Sequence, residues 1–265
     1  MFYFIISMVR FQICIIHLCI LAVIIWLVIR HTLRSYIKVY SDIPCHDMKS
    51  ITFDSIYSNL GEVEKRQYMI GPRYTKTGLL RLKMPNALKK SLRTTWMRRN
   101  STRVVKEHIK NILYTNTNDV PSVYHDINVI DPTMSDAVVK FIKDKLTQWT
   151  GLTDLHFTSI YGFREYKKGA ILKMHVDKFK THALSAIVNV QKDTIAWPLV
   201  AYDHHHERHD VYFDNFDVLL YESGTVVHGR PFPFQGDHFV NIFVHFTCSD
   251  WEKRVAQPLI AEGFS

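Results

Sequence analysis

Glycine and proline are scarce in this 265-residue chain, at 10 and 9 residues. That scarcity excludes collagen-like and mucin-like readings. Wholesale disorder is excluded as well, because 47% of the residues are hydrophobic and only 22% are charged. Internal repeats are absent, so a solenoid is not expected. Cysteine is rare too: of four, Cys14 and Cys19 fall in an apolar run. Cys45 and Cys248 remain as one possible pair, too little to fix a redox compartment. Acids are almost missing from residues 61–110, where 3 face 14 lysines and arginines. The whole chain carries only +8, so the high isoelectric point reports one basic segment and leaves the remainder slightly acidic.

The uncharged run extends from Phe11 to Ile29, interrupted in polarity only by Gln12 and His17 and bounded by Arg10 and Arg30. At 1.5 Å per residue its 19 residues reach across a hydrocarbon core of about 30 Å. No small-residue cleavage site follows it, which argues against a cleavable signal peptide. Residues 1–30 therefore read as a single N-terminal transmembrane helix. Arg10 alone precedes it, whereas Arg30, Arg34, Lys38 and Lys49 follow, and positive-inside counting leaves the remainder in the cytosol.

Residues 31–128 read as a stalk followed by a basic helical region. Pro85 opens an amphipathic stretch with Leu88, Leu92 and Trp96 at four-residue spacing. Without interleaved aromatics, its basic residues read as a solvated face, and nucleic acid is not expected as a partner. Lys110–Pro121 reads as loop. Asp131 and Pro132 form an N-cap and first-turn proline, and Gly151 is placed to end that helix.

Beyond Gly151 the period changes to two. Strands are expected over Leu155–Phe163, Ile171–Asp177, Leu184–Val190, Pro198–Tyr202, Asp210–Phe213, Asp217–Tyr221 and His238–Phe246. Short strands without intervening helices indicate a mainly β jelly roll with flanking helices. The expected divisions are 1–30, 31–128, a core domain over 129–250, and a tail over 251–265.

On the strand Ile171–Asp177, His175 and Asp177 share a face opposite Leu172, Met174 and Val176. His228 follows 53 residues after His175 and supplies a candidate third ligand. Two histidines and a carboxylate on one face of a metal form the facial triad of non-haem Fe(II) oxygenases. A single His-x-Asp is what chance supplies; the surrounding residues carry the weight. Arg164 to Asp177, with Tyr166 and Gly169 ahead of the His-x-Asp strand, resembles the first half of the motif of prolyl 4-hydroxylase-like dioxygenases. Tyr221 to Pro231, with His228, resembles the distal-histidine half, and the likeness spans roughly Val129 to Phe246.

The resemblance implies a double-stranded β-helix with Fe(II) held by His175, Asp177 and His228. It implies 2-oxoglutarate as cosubstrate, O2 as oxidant, ascorbate as an optional reductant, and hydroxylation of a peptidyl residue, proline by resemblance alone. One position departs: where the family typically has a lysine ten residues beyond the distal histidine, this chain has His238. Arg230, on the parity of His228, is a candidate substitute for binding the far carboxylate, with Tyr166 as a hydroxyl donor and Arg164 on the same parity as Tyr166. The competing reading is a membrane-tethered, non-catalytic jelly roll that uses its basic segment on an anionic partner. A nucleobase dioxygenase ranks below both.

Anchored relatives commonly face the endoplasmic reticulum lumen, opposite to the charge count, and that orientation is the expectation adopted here. It predicts that Asn100-Ser101-Thr102 carries a glycan in a eukaryotic cell. Digestion with a glycosidase should then shift the protein's mass, and Asn100→Gln should abolish the shift.

Overall fold

Side-chain alternation along the strands sets the architecture. The computed structural model describes residues 51–265, apart from Thr102, His108, Lys110, Asn111 and Asn118. The expected membrane helix and Cys45 lie outside the described residues. Among those that are described, no helix is long and apolar enough to cross a membrane.

The strands in chain order are β1 (Leu79–Lys83), β2 (Val105–Glu107), β3 (Leu113–Tyr114), β4 (Ser122–His125), β5 (His156–Tyr166), β6 (Ile171–His175), β7 (Leu184–Gln191), β8 (Leu199–Tyr202), β9 (Arg208–Val211), β10 (Asp217–Tyr221), β11 (Val227–Arg230) and β12 (Phe239–Thr247). They form a seven-stranded sheet, β1-β10-β7-β12-β5-β4-β2, and a five-stranded sheet, β3-β6-β11-β8-β9. Every pairing is antiparallel. This is the expected two-sheet, mainly β arrangement of a jelly roll.

Alternate residues of the large sheet belong to two cores. Ala186, Val188, Val218, Leu220, Ile242 and Val244 pack in an outer core with the helices. Ile187, Leu219, Tyr221, Phe239 and Phe243 belong to the core between the sheets, with Leu172 and Leu199 of the small sheet. The outer face is covered by α3 (Asn86–Met97), through Leu92 and Trp96, and, after the single turn α4 (Ile127–Ile130), by α5 (Pro132–Thr150), through Val138, Ile142 and Leu146. The Asp131 side chain accepts from the Met134 N–H at the start of α5. At its end Gly151 takes a φ of 76°, a left-handed cap that a side chain would strain.

Two expected boundaries move. Residues 51–128 are more than a stalk and a helix: besides α1 (Phe53–Ser58), α2 (Glu62–Ile70) and the expected helix α3, they supply β1, β2, β3 and β4 to the two sheets. These strands span only two to five residues, too short for an alternating pattern to stand out. Nor are residues 251–265 a free tail. Trp251, Val255 and Leu259 are buried in the outer core, along the helical run α6 (Ser249–Trp251), a π-helical turn (Glu252–Ala256) and α7 (Gln257–Ala261).

The Trp251 ring lies so close to Gly224 that a Cβ there would come within 2.2 Å of it. Its Nε1 donates to the Phe179 carbonyl at 2.7 Å, tying this helical run to the loop after β6. Trp251→Ala should therefore lower unfolding free energy by about 3–5 kcal/mol in urea titration. A shift under 1 kcal/mol would restore the tail reading.

Candidate functional site

Register brings the first group together. His175 on β6 stands directly opposite His228 on β11 in the antiparallel ladder, and their ring centroids are 4.6 Å apart. Asp177 follows β6 on the same parity as His175, with its backbone N–H donating to the Ser223 carbonyl at 2.9 Å. Asp177 Oδ1 lies 3.5 Å from His175 Nε2 and 3.8 Å from His228 Nε2. One ligand atom from each of the three residues falls within 4.8 Å of the other two, close enough to share one metal ion.

The backbone orients both rings. His175 Nδ1 is 2.7 Å from the Lys173 carbonyl, and His228 Nδ1 is 2.9 Å from the Val226 carbonyl. A carbonyl only accepts, so both Nδ1 atoms carry the hydrogen and both Nε2 atoms turn toward Asp177. This is the outer support that metal-binding histidines ordinarily have. Burial, reinforced by the charge of His175, pushes the His228 ring down to about 4, so it is neutral near pH 7. Burial would raise the Asp177 carboxyl, yet its hydrogen bond with His175 and the electrostatic influence of the neighbouring His228, His245 and His182 rings hold it well below the usual range. Burial works to lower His175, but its hydrogen bond with Asp177 and that carboxylate's charge raise it. Once the proton shared between His175 and Asp177 is displaced, the three residues offer a carboxylate and two imidazoles, a combination suited to a divalent transition metal.

These three residues line a cavity of about 640 Å³. Arg230 lines it also, only 1% exposed. Its Nη1 donates to Asn241 Oδ1 at 2.9 Å, but Nε and Nη2 are buried without a partner, as is the Tyr166 hydroxyl. Arg230 forms no ion pair among the described residues. Its guanidinium carbon sits 4.5 Å from the Phe239 ring centroid, 4.6 Å from Trp197 and 5.5 Å from Tyr166. Burial draws its pKa down to about 10, which still leaves it cationic at neutral pH. A buried cation with unused donors in a cavity is the expected receptor of an anion.

His238 is not part of this group. It precedes β12 on the parity of Val240 and Ile242, which pack in the outer core, and Gln191 Nε2 donates to its Nε2 at 2.8 Å. Counting ten residues from His228 overlooked that parity. Arg164, which shares the parity of Tyr166, does face the cavity. It is 7% exposed and donates to both Glu107 carboxylate oxygens at 2.6 and 2.7 Å.

Sequence reading missed several cavity residues. The His182 and His245 rings lie with centroids 3.7 Å apart, tilted 30° to one another; His245 Nδ1 is 3.7 Å from Asp177 Oδ2 and 2.7 Å from Ser185 Oγ. Asn241 and His245 share the inward parity of β12, and two polar residues in that apolar strand were the available signal. Glu107 gave none. The consecutive histidines His204 to His206 lie in the hairpin between β8 and β9. Asp203, Glu207 and His209 also approach one another there, but Asp203 accepts the His205 and Glu207 backbone N–H groups, as an ordinary turn does.

No protein-family model and no curated protein matches the sequence. The fold, however, is similar to solved structures. One is a prolyl-4-hydroxylase from Pseudomonas putida, with a TM-score of 0.51 and 16% identity, covering 69% of this chain and 98% of that one. Another is SnoN, a non-haem α-ketoglutarate-dependent epimerase of nogalamycin biosynthesis, with a TM-score of 0.53 and 11% identity, covering 69% and 84%. The chain thus shares its fold with a prolyl-4-hydroxylase and with a non-haem α-ketoglutarate-dependent epimerase.

If the three-residue group holds a metal, His175→Ala, Asp177→Ala and His228→Ala should each weaken Mn(II) binding more than about 100-fold in calorimetry, beyond the cost of losing an outer support. Circular dichroism should stay unchanged. A single replacement that bound Mn(II) as the parent protein does would remove that residue from the group.

Proposed function

We propose that the protein is an Fe(II)- and 2-oxoglutarate-dependent dioxygenase of prolyl 4-hydroxylase type, acting on a peptidyl residue, with proline favoured by the sequence resemblance. One observation carries the reading: a two-histidine, one-carboxylate group and an unpaired buried guanidinium face the same cavity. A binding protein without chemistry has no need for both.

In this reading His175, Asp177 and His228 hold Fe(II), while Arg230, assisted by the Tyr166 hydroxyl, takes the far carboxylate of 2-oxoglutarate. Bound there, Fe(II) and 2-oxoglutarate would supply an O2-dependent oxidation, with 2-oxoglutarate going to succinate and CO2 and a substrate C–H bond being hydroxylated. The chain's own residues position and protect. The Lys173 and Val226 carbonyls fix the ligand rings, and the aromatic walls around Arg230 keep water from the carboxylate it binds. We also propose that residues 11–29 anchor the protein and that the catalytic unit is lumenal; the exposed position of Asn100 supports access to a glycosyltransferase.

Succinate release from 2-oxoglutarate in the presence of a proline-containing peptide library tests the activity. Arg230→Ala should raise the 2-oxoglutarate KM about thirtyfold, the equivalent of a charge-assisted contact of roughly 2 kcal/mol. His238→Ala should change it less than about twofold, since the ring lies outside the cavity. Arg230 is protonated below its value of about 10. KM should therefore be flat from about pH 6 to 8 and climb only as pH approaches 10, whereas a histidine anchor would make it rise near pH 6.5. An unaltered KM in Arg230→Ala would sink the anchor assignment.

A further inference from the structure

The cavity holds two guanidiniums, and they differ in what they touch. Arg164 and Arg230 flank the same tyrosine, their guanidinium carbons 6.0 and 5.5 Å from the Tyr166 ring centroid. Arg230 has a neutral partner, Asn241, and two unused donors. Arg164 has a full carboxylate in bidentate contact, and Ser122 Oγ donates to the same Glu107 Oε2 at 2.9 Å. Three donors therefore hold Glu107 in place, and a bidentate arginine–carboxylate pair is among the strongest side-chain contacts.

We propose that Glu107 is an internal counter-ion that withholds Arg164 and so assigns the incoming carboxylate to Arg230. The proposal rests on the reading of 2-oxoglutarate as cosubstrate. A dianion entering a cavity with two open guanidiniums would have two ways to seat its far carboxylate, and each would aim the keto end differently. With Arg164 occupied, one seat remains. Glu107 is thus a positioning residue acting through Arg164. It stands on β2, an edge strand of the large sheet, and Glu107→Gln removes its charge while keeping its shape.

The test is calorimetric titration of 2-oxoglutarate into Mn(II)-loaded protein, where no turnover occurs. Arg230→Ala should lose about thirtyfold in affinity, as one charge-assisted contact predicts. Adding Glu107→Gln to that variant frees Arg164 and should recover about tenfold of the loss. A double variant as weak as Arg230→Ala would overturn the inference while leaving the cosubstrate reading intact. If Arg230→Ala alone bound like the parent protein, the anchor reading itself would fall, and the inference with it. Should Glu107→Gln with Arg230→Ala fail to fold, the neutral pair Glu107→Gln with Arg164→Gln, in a chain retaining Arg230, decides. Its affinity should stay within about twofold of the parent, because Arg164 was never available. A loss near thirtyfold there would make Arg164 an anchor and defeat the proposal.

Discussion

The pairing of β6 with β11 is the constraint on which the site depends. His175 and His228 are Cα partners in that ladder, so 53 residues of intervening chain are reconciled by one register. A slip of one residue would turn a histidine to the opposite face and leave no shared space for a metal. Asp177 then needs no separate device, since parity places it beside His175 and the Ser223 carbonyl receives its backbone N–H. The irregularity between His228 and Arg230 is accommodated in the same strand pair. Within that frame Arg230 stays inside the barrel, beyond the metal-binding group.

Inner faces explain the electrostatics. Arg230, Asn241 and Asn189 form a hydrogen-bonded line within an otherwise apolar core, and Asn189 passes the chain on to the Asp214 carbonyl. Dipoles of this kind make a buried cation tolerable without cancelling its charge. Arg164 represents the opposite solution, because Glu107 neutralises it outright. One barrel therefore contains both a charged and a neutralised arginine, a few residues apart in space. Electrostatic selectivity in this cavity comes from counter-ions, more than from the number of positive side chains.

Much of this was legible because strand parity is a strict rule. Period two located β5 to β8, β10 and β12 to within a few residues, and put His175 with Asp177 before any fold was known. The α5 boundaries were written in Asp131, Pro132 and Gly151. What remained hidden depends on pairing between distant segments. Nothing in Val105–Glu107 says that it will border a cavity, and Leu113–Tyr114 is too brief to carry a pattern. The basic segment misled in another way. Several of its cations belong to the architecture: Arg81 and Lys83 bind the buried Asp217, and Arg99 lies 4.1 Å over the Trp96 ring. His238 shows the limit of motif counting, since a spacing taken from other chains carries no information about which face a residue occupies in this one.

The strand order has a consequence for synthesis. β12 occupies the middle of the large sheet, between β7 and β5, yet it is the last strand of the described chain to be made. While the ribosome works through residues 192–238, β5 and β7 exist without the neighbour that joins them. Each presents an open row of backbone donors and acceptors during that interval, the condition under which nascent sheets capture the wrong partner. Folding is then limited by a late, long-range insertion. Nascent chains of this protein should for that reason depend on chaperone protection until residue 247 has cleared the exit tunnel.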